Sequence, residues 1–128
     1  MNPAAPAANI APVILCVEDR ALSLAARQAI LEEAGYRVLS ATSGTEALDL
    51  LTRFHVDLVL SDHYLRDERG IVIASKIRSL KPEIPILLIS GSVQRLIDLE
   101  EAKHIGGLIA QDAGPTHLLV CIATALRL

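Results

Sequence analysis

Residues 56–70 read VDLVLSDHYLRDERG, and the change of character at Asp62 decides how the chain is built. An aliphatic, β-branched run of this length suits a strand buried on both faces, and the charged stretch that follows suits a loop at the strand's carboxyl end. The same pattern stands upstream in PVILCV (12–17), which ends in Glu18-Asp19, and downstream in IPILLIS (84–90), which ends in Ser90 before Gly91. Two weaker runs, YRVLSA (36–41) and GGLIAQ (106–111), complete a set of five predicted strands.

Helical spacing fills the intervals. From Arg20 to Ala34 the apolar positions Leu22, Ala25, Ala26, Ala29, Ile30 and Ala34 predict an amphipathic helix that Gly35 terminates. Ser43-Gly44-Thr45-Glu46 is a capping box opening TEALDLLTRF, and Ile71, Ile73, Ala74 and Ile77 mark a helix that ends before Lys81-Pro82. Ser92 caps VQRLIDLEEA, and a last helix starts after Gly114 with Pro115 in its first turn. Five strands alternating with five helices predict an α/β domain, a parallel sheet with helices on both faces.

The chain has 128 residues, enough for one domain that buries roughly two thirds of its unfolded surface. The sequence is 52% hydrophobic but 2% aromatic, so Leu, Ile, Val and Ala must build the core. A net charge of -3 lacks the basic footprint that nucleic acid requires, so no nucleic-acid partner is expected. Cys16 and Cys121 lie in apolar stretches and read as core residues of a reducing compartment. Residues 1–11 have no basic n-region, and VILCV is too short for a signal or a span. The expectation is a disordered Ala/Pro tail (1–11), a folded unit over 12–128, cytoplasmic localisation and no membrane partner.

In open parallel sheets, ligands bind where the strands end and their order reverses. The polar residues at those ends are Glu18 and Asp19, Asp62, Ser90, and Gln111 and Asp112. Taken singly, an aspartate in such a place serves as turn-former, helix cap, metal ligand or nucleophile. Three carboxylates gather if strands one and three are neighbours, and such a cluster repels itself unless a cation shares it. Mg²⁺, which takes one or two carboxylates with water and a phosphate oxygen, suits the set.

ILCVEDR, DLVLSDHYLRDERG and PILLISGS, in that order and at those spacings, resemble a response-regulator receiver domain of two-component signalling, CheY-like in type. The resemblance covers about residues 12–128. It implies a flavodoxin-like (βα)5 doubly wound sheet with strand order 2-1-3-4-5. It also implies that Asp62 accepts a phosphoryl group from a histidine kinase or phosphotransfer protein. Glu18, Asp19, Asp62 and the main-chain carbonyl of Tyr64 match the family's Mg²⁺ ligands. Ser90 matches the switch hydroxyl, and the Tyr64 side chain lies where the family tunes access of water. The protein would be no enzyme beyond phosphorylation and dephosphorylation of its own Asp62. With the chain ending in the fifth helix, it would be a receiver without an output domain.

Three residues depart from the family pattern. Gln111, followed by Asp112, stands where a pocket lysine is usual, which removes a full positive charge. Leu108 falls at the aromatic switch position, and Arg66 replaces the proline of the loop after the acceptor. Lys103 belongs to the preceding helix and is out of reach. Arg66 or Arg69 could replace the charge, although the run Arg66-Asp67-Glu68-Arg69 reads as a solvated loop. His55, His63, His104 and His117 show no metal-ligand spacing and read as surface residues, with His63 at most on the pocket rim.

The C-terminal helix THLLVCIATALRL is apolar almost all round. Leu118, Ile122 and Leu126 are predicted to face the sheet, leaving Val120, Cys121 and Ala123 for a downstream target or a receiver homodimer through the 92–128 face. The competing function is a pseudo-receiver that acts as an interaction module without phosphorylation. An aspartate-nucleophile phosphatase would need a second aspartate beyond Asp62-His63-Tyr64, and a flavin protein a phosphate loop after strand one; neither is present.

Overall fold

The computed structural model describes residues 11–91 and 105–127. Five parallel strands, β1 (Val13–Val17), β2 (Arg37–Ala41), β3 (Leu58–Asp62), β4 (Ile86–Ser90) and β5 (Gly107–Ala110), form one sheet in the order β2-β1-β3-β4-β5. The helices among these residues are α1 (Ala21–Glu33), α2 (Gly44–Arg53), α3 (Gly70–Leu80) and α4 (Pro115–Leu126). The predicted helix over 93–102, with its cap Ser92, and Lys103 and His104 lie outside the described residues.

The strands β1, β3 and β4 are buried at every position, as their unbroken apolar runs require. Alternate residues serve opposite faces. Ile14, Cys16, Leu58, Leu60, Leu87 and Ile109 pack with Leu31 of α1 and with Leu118 and Ile122 of α4. Leu15, Val17, Val59, Ile86 and Leu88 pack with Leu51 of α2 and with Ile73 and Ile77 of α3. The third strand starts two residues later than predicted, because Asp57 is used to anchor β1. Its Oδ2 accepts from the Val13 N–H at 2.8 Å, and its own N–H donates to Val13 O at 2.8 Å.

Caps fix the helix ends. Ser43 Oγ accepts from the Glu46 N–H at 3.1 Å, while Glu46 Oε1 reaches back one residue further than a standard box, to the Thr42 N–H at 2.7 Å. Gly35, with φ +99°, ends α1 in the left-handed conformation that glycine adopts without strain.

The face of α1 differs from the one its alanines predict. Leu22 is 88% exposed, and Ala25, Ala26, Ala29 and Ala34 are exposed as well. The inward stripe is Leu24, Arg27, Gln28 and Leu31, at i, i+3, i+4 and i+7. Alanine methyls bury too little area to orient a helix. Leu24 and Leu31, with an ion pair made by Arg27, set the rotation instead.

Candidate functional site

Strand register assembles the carboxyl edge. Val17 pairs with Ser61, so Glu18 emerges beside Asp62 where the strand order reverses. Asp62 pairs with Ile89, which sets it next to Ser90, and the Gln111 N–H donates to Ser90 O at 3.0 Å. The predicted strand-end residues therefore share one edge. Asp19, Arg20, Asp62, Arg66, Arg69 and Gln111 line an open pocket there, and Ser90, Gln111 and Asp112 line an adjoining one. A larger cleft bordered by His55, Lys81 and Pro85 lies at the opposite, amino-terminal end of the sheet.

Glu18 is fully buried, and a buried carboxylate needs charged partners. Arginines provide them. Arg27 Nη1 donates to Glu18 Oε2 at 3.0 Å from a side chain only 13% exposed. Arg20 Nε and the Arg20 N–H both donate to Glu18 Oε1, at 3.2 and 3.1 Å. Sequence reasoning passed over both arginines. For Arg27 the available signal was its position three residues after Leu24 and four before Leu31.

Asp62 is 2% exposed, and its Oδ1 is buried without a hydrogen-bond partner. Burial is the main cause that pushes its carboxyl up to about 6; the charge of Glu18 and a hydrogen bond between the two carboxyl groups add to it. Arg27 and Arg20 pull in the opposite direction. Oxygen donors with one buried oxygen unpartnered suit a hard divalent cation. Asp19 and Asp62 both line that pocket. Glu18 has both oxygens engaged by guanidinium groups, and among the described residues no three His, Cys, Asp or Glu side chains already stand as a metal-holding group.

His63 corrects the surface reading of the histidines. It is buried at 3% exposure, packs edge-on against the Tyr64 ring at 4.7 Å, and has an unpartnered Nδ1. Burial first, and Arg69 second, push its pKa down. Tyr64 is half exposed at the rim.

The loop after Asp62 is solvated as its charges suggest, with Arg66, Asp67 and Arg69 exposed, yet its main chain is anchored to the site. The Arg66 N–H donates to Asp19 Oδ2 at 2.7 Å, and Arg66 Nε stands 3.6 Å from the same oxygen. A proline here could not make the first bond, so this departure from the family anchors one of the carboxylates. Glu68 pairs with Lys76 of α3. The loop closes through Gly70, whose N–H donates to His63 O at 2.7 Å. A Cβ on Gly70 would stand 2.6 Å from Asp62 O and 2.9 Å from His63 Cα, so α3 starts against the backbone of Asp62 itself. Gly70 is a second residue the sequence reading passed over.

Ser90 is fully buried at the end of β4. The Gln111 side chain lies along the β4 loop, its Oε1 3.4 Å from where a Cβ on Gly91 would be. It makes no bond to Asp62 Oδ1. On α4, Leu118 and Ile122 are buried and Leu126 packs beside them, as predicted, and Val120 is 57% exposed. Cys121 packs at the core edge, as its apolar stretch predicts, and does not offer the outer contact considered for it beside Val120.

Residues 14–110 match the response regulator receiver domain family. The chain is 33% identical over 92 residues to the autoinducer 1 sensor kinase/phosphatase LuxN of Vibrio campbellii, across 71% of this chain and 11% of LuxN. It is 36% identical over 97 residues to the transcriptional regulatory protein ZraR of Escherichia coli, across 74% of this chain and 21% of ZraR. It thus spans a small part of each relative. The receiver domain protein from Clostridium thermocellum superposes with a TM-score of 0.83 at 23% identity, over 91% of this chain and 94% of that one. TrrA from Thermotoga maritima, solved in complex with Mg(2+)-BeF, gives 0.83 at 24% identity, over 89% and 98%. These two likenesses show the shared fold.

Proposed function

The chain belongs to the response regulator receiver domain family of two-component systems, and from that premise we propose that it accepts a phosphoryl group on Asp62 with Mg²⁺ bound beside it. The observation that carries the reading is Asp62 Oδ1, buried and unpartnered at the switch point of the sheet, with cations within its field. A carboxylate oxygen attacks phosphorus in line. An O–P bond forms as the N–P bond of a donor phosphohistidine breaks, and the imidazole leaves with the electron pair and takes up a proton from water.

Asp19, Asp62 and the Tyr64 main-chain carbonyl would hold Mg²⁺, with Glu18 joining through water. Bound there, the ion neutralises charge on the phosphoryl oxygens. Ser90 would donate its hydroxyl to one of those oxygens, and the Tyr64 ring at the rim would limit approach of hydrolytic water. The donor is a histidine kinase or phosphotransfer protein in the cytoplasm. The output is a protein contact through α4 and β5, where Val120 is exposed. The chain turns over no substrate other than its own acyl phosphate, and binds neither nucleic acid nor membrane. Among the described residues no helix is long and apolar enough to cross a membrane.

Acetyl phosphate with Mg²⁺ tests the reading. One phosphoryl group should add to the intact mass, and Asp62→Asn should abolish the gain. A second reading, a pseudo-receiver that binds partners without phosphorylation, is favoured by Gln111 in the lysine position and by the engagement of Glu18 with arginines. It wins if the folded wild-type protein takes no label and binds no beryllofluoride.

A further inference from the structure

Resting on the acceptor reading, we infer that Arg27 is the phosphoryl-neutralising cation of this pocket, supplying from α1 the charge that Gln111 cannot supply from the end of β5. Arg27 Nη1 lies 3.0 Å from Glu18 Oε2, on a side chain 13% exposed between the core residues Leu24 and Leu31. An arginine so placed costs desolvation energy that an exposed position on the same helix would avoid, so its location is itself informative. The same side chain borders a hollow formed by Ile89, Ile109, Ala110 and Gln111. It therefore stands at the point where residue 111 leaves β5.

Arg27 borders the adjoining hollow, and the arginines that line the Asp62 pocket itself, Arg20, Arg66 and Arg69, are exposed and make poor substitutes. The Arg20 side chain is 58% exposed and that of Arg66 is 83% exposed, so water screens both. Glu18, which Arg27 holds, emerges beside Asp62 through the β1–β3 register, so the guanidinium stands one carboxylate away from the acceptor. A planar guanidinium can hold one carboxylate and turn a further N–H toward a second oxyanion, which a lysine's point charge does less well. In the labelling step an Asp62 oxygen attacks the phosphorus of acetyl phosphate, and acetate leaves with the electrons of the broken P–O bond. Arg27 stays protonated throughout and donates to an equatorial oxygen.

The test compares wild type, Arg27→Gln, Gln111→Lys and the double variant. It reads the labelling rate with acetyl phosphate, the affinity for beryllofluoride with Mg²⁺, and the urea midpoint. Arg27→Gln should slow labelling and weaken beryllofluoride binding by about tenfold or more, the scale of a lost oxyanion donor. The double variant should recover both to within about threefold of wild type, the scale of an exposed ion pair, while its urea midpoint stays at the Arg27→Gln value. Gln111→Lys alone should change labelling by less than about threefold, because the charge is already supplied.

An Arg27→Gln protein that labels at the wild-type rate overturns the inference. So does a Gln111→Lys single variant that labels about tenfold faster, since the pocket would then have lacked a cation. That single variant keeps Arg27, and decides the matter if Arg27→Gln fails to fold. A folded wild type that takes no label refutes the acceptor reading and this inference together, whereas a labelled wild type with an unaffected Arg27→Gln refutes this inference alone.

Discussion

Replacing Asp62 by Asn should stabilise the metal-free protein, and the gain should depend on pH. The carboxyl is pushed from an ordinary 3.8 up to about 6 in the folded chain, by burial and then by Glu18. Well below 3.8 it is protonated in both folded and unfolded states and contributes nothing to the difference. Between the two values the unfolded chain gives up the proton while the native chain keeps it, so the unfolded state binds fewer protons and native stability falls as pH rises. Above about 6 both states are ionised and the penalty is constant. A shift of about two units corresponds to about 3 kcal/mol, and water entering the open pocket reduces it to about 1–2 kcal/mol.

The assay is urea unfolding of wild type and Asp62→Asn in EDTA at pH 4.5 and 7.5. The difference in unfolding free energy should be small at the lower pH and about 1–2 kcal/mol in favour of Asn at the higher. Adding Mg²⁺ at pH 7.5 should then stabilise wild type more than Asp62→Asn, by mass action on the folded state. A difference that is independent of pH, or a wild type more stable than the variant at pH 7.5 in EDTA, would refute the account of Asp62 as a buried, strained carboxylate.

Gly70→Ala should destabilise the fold by about 1–3 kcal/mol in urea, because its Cβ would meet Asp62 O at 2.6 Å and backbone cannot yield cheaply. Gly44→Ala, whose new methyl meets side-chain rather than backbone atoms, Ile73 Cγ1 at 2.8 Å and Cδ1 at 2.9 Å, should cost less; equal costs would count against the backbone argument. Arg66→Ala keeps the N–H bonded to Asp19 and should shift stability by less than about 0.5 kcal/mol, whereas Arg66→Pro removes that donor and should cost about 1 kcal/mol. The same chemical-denaturation series checks both. Ser43→Ala should cost about 1 kcal/mol through loss of the α2 cap, read as a lower thermal midpoint.

Strands were the most legible part of this sequence because a parallel sheet covered on both sides demands unbroken apolar runs, and PVILCV, LVLS and ILLIS are such runs. Their carboxyl ends followed directly, which is why Glu18, Asp19, Asp62 and Ser90 were legible as one edge before any coordinates. The face of α1 was not. Four alanines spread around that helix blur its periodicity, and an arginine counts as a polar-face residue in any such pattern although Arg27 turns inward to a buried carboxylate. Contacts made by the main chain leave no compositional trace either. The Arg66 N–H on Asp19 and the close approach of Gly70 to Asp62 depend on how a loop folds back, and adjacent residues do not announce that.

The placement of the pocket cation bears on how a phosphorylated Asp62 would be read. A lysine at the end of β5 is continuous with the strand and the loop leading into α4, so its movement toward a phosphoryl group pulls directly on that surface. Arg27 belongs to α1, and its side chain reaches the edge across the hollow beside Ala110 and Gln111 without a chain connection to β5. On the proposed reading, charge supplied to a phosphorylated Asp62 from α1 would act without a chain connection to β5. The link that remains is Ser90, whose carbonyl accepts from the Gln111 N–H at 3.0 Å and whose hydroxyl lies in the strand next to Asp62. A ligand shifts a two-state element only by its differential contacts with the two states. With the β5 cation gone and Leu108 in place of the aromatic switch, the differential contact available to this chain runs through β4, and the response of the α4 face depends on how far Ser90 carries Gln111 with it.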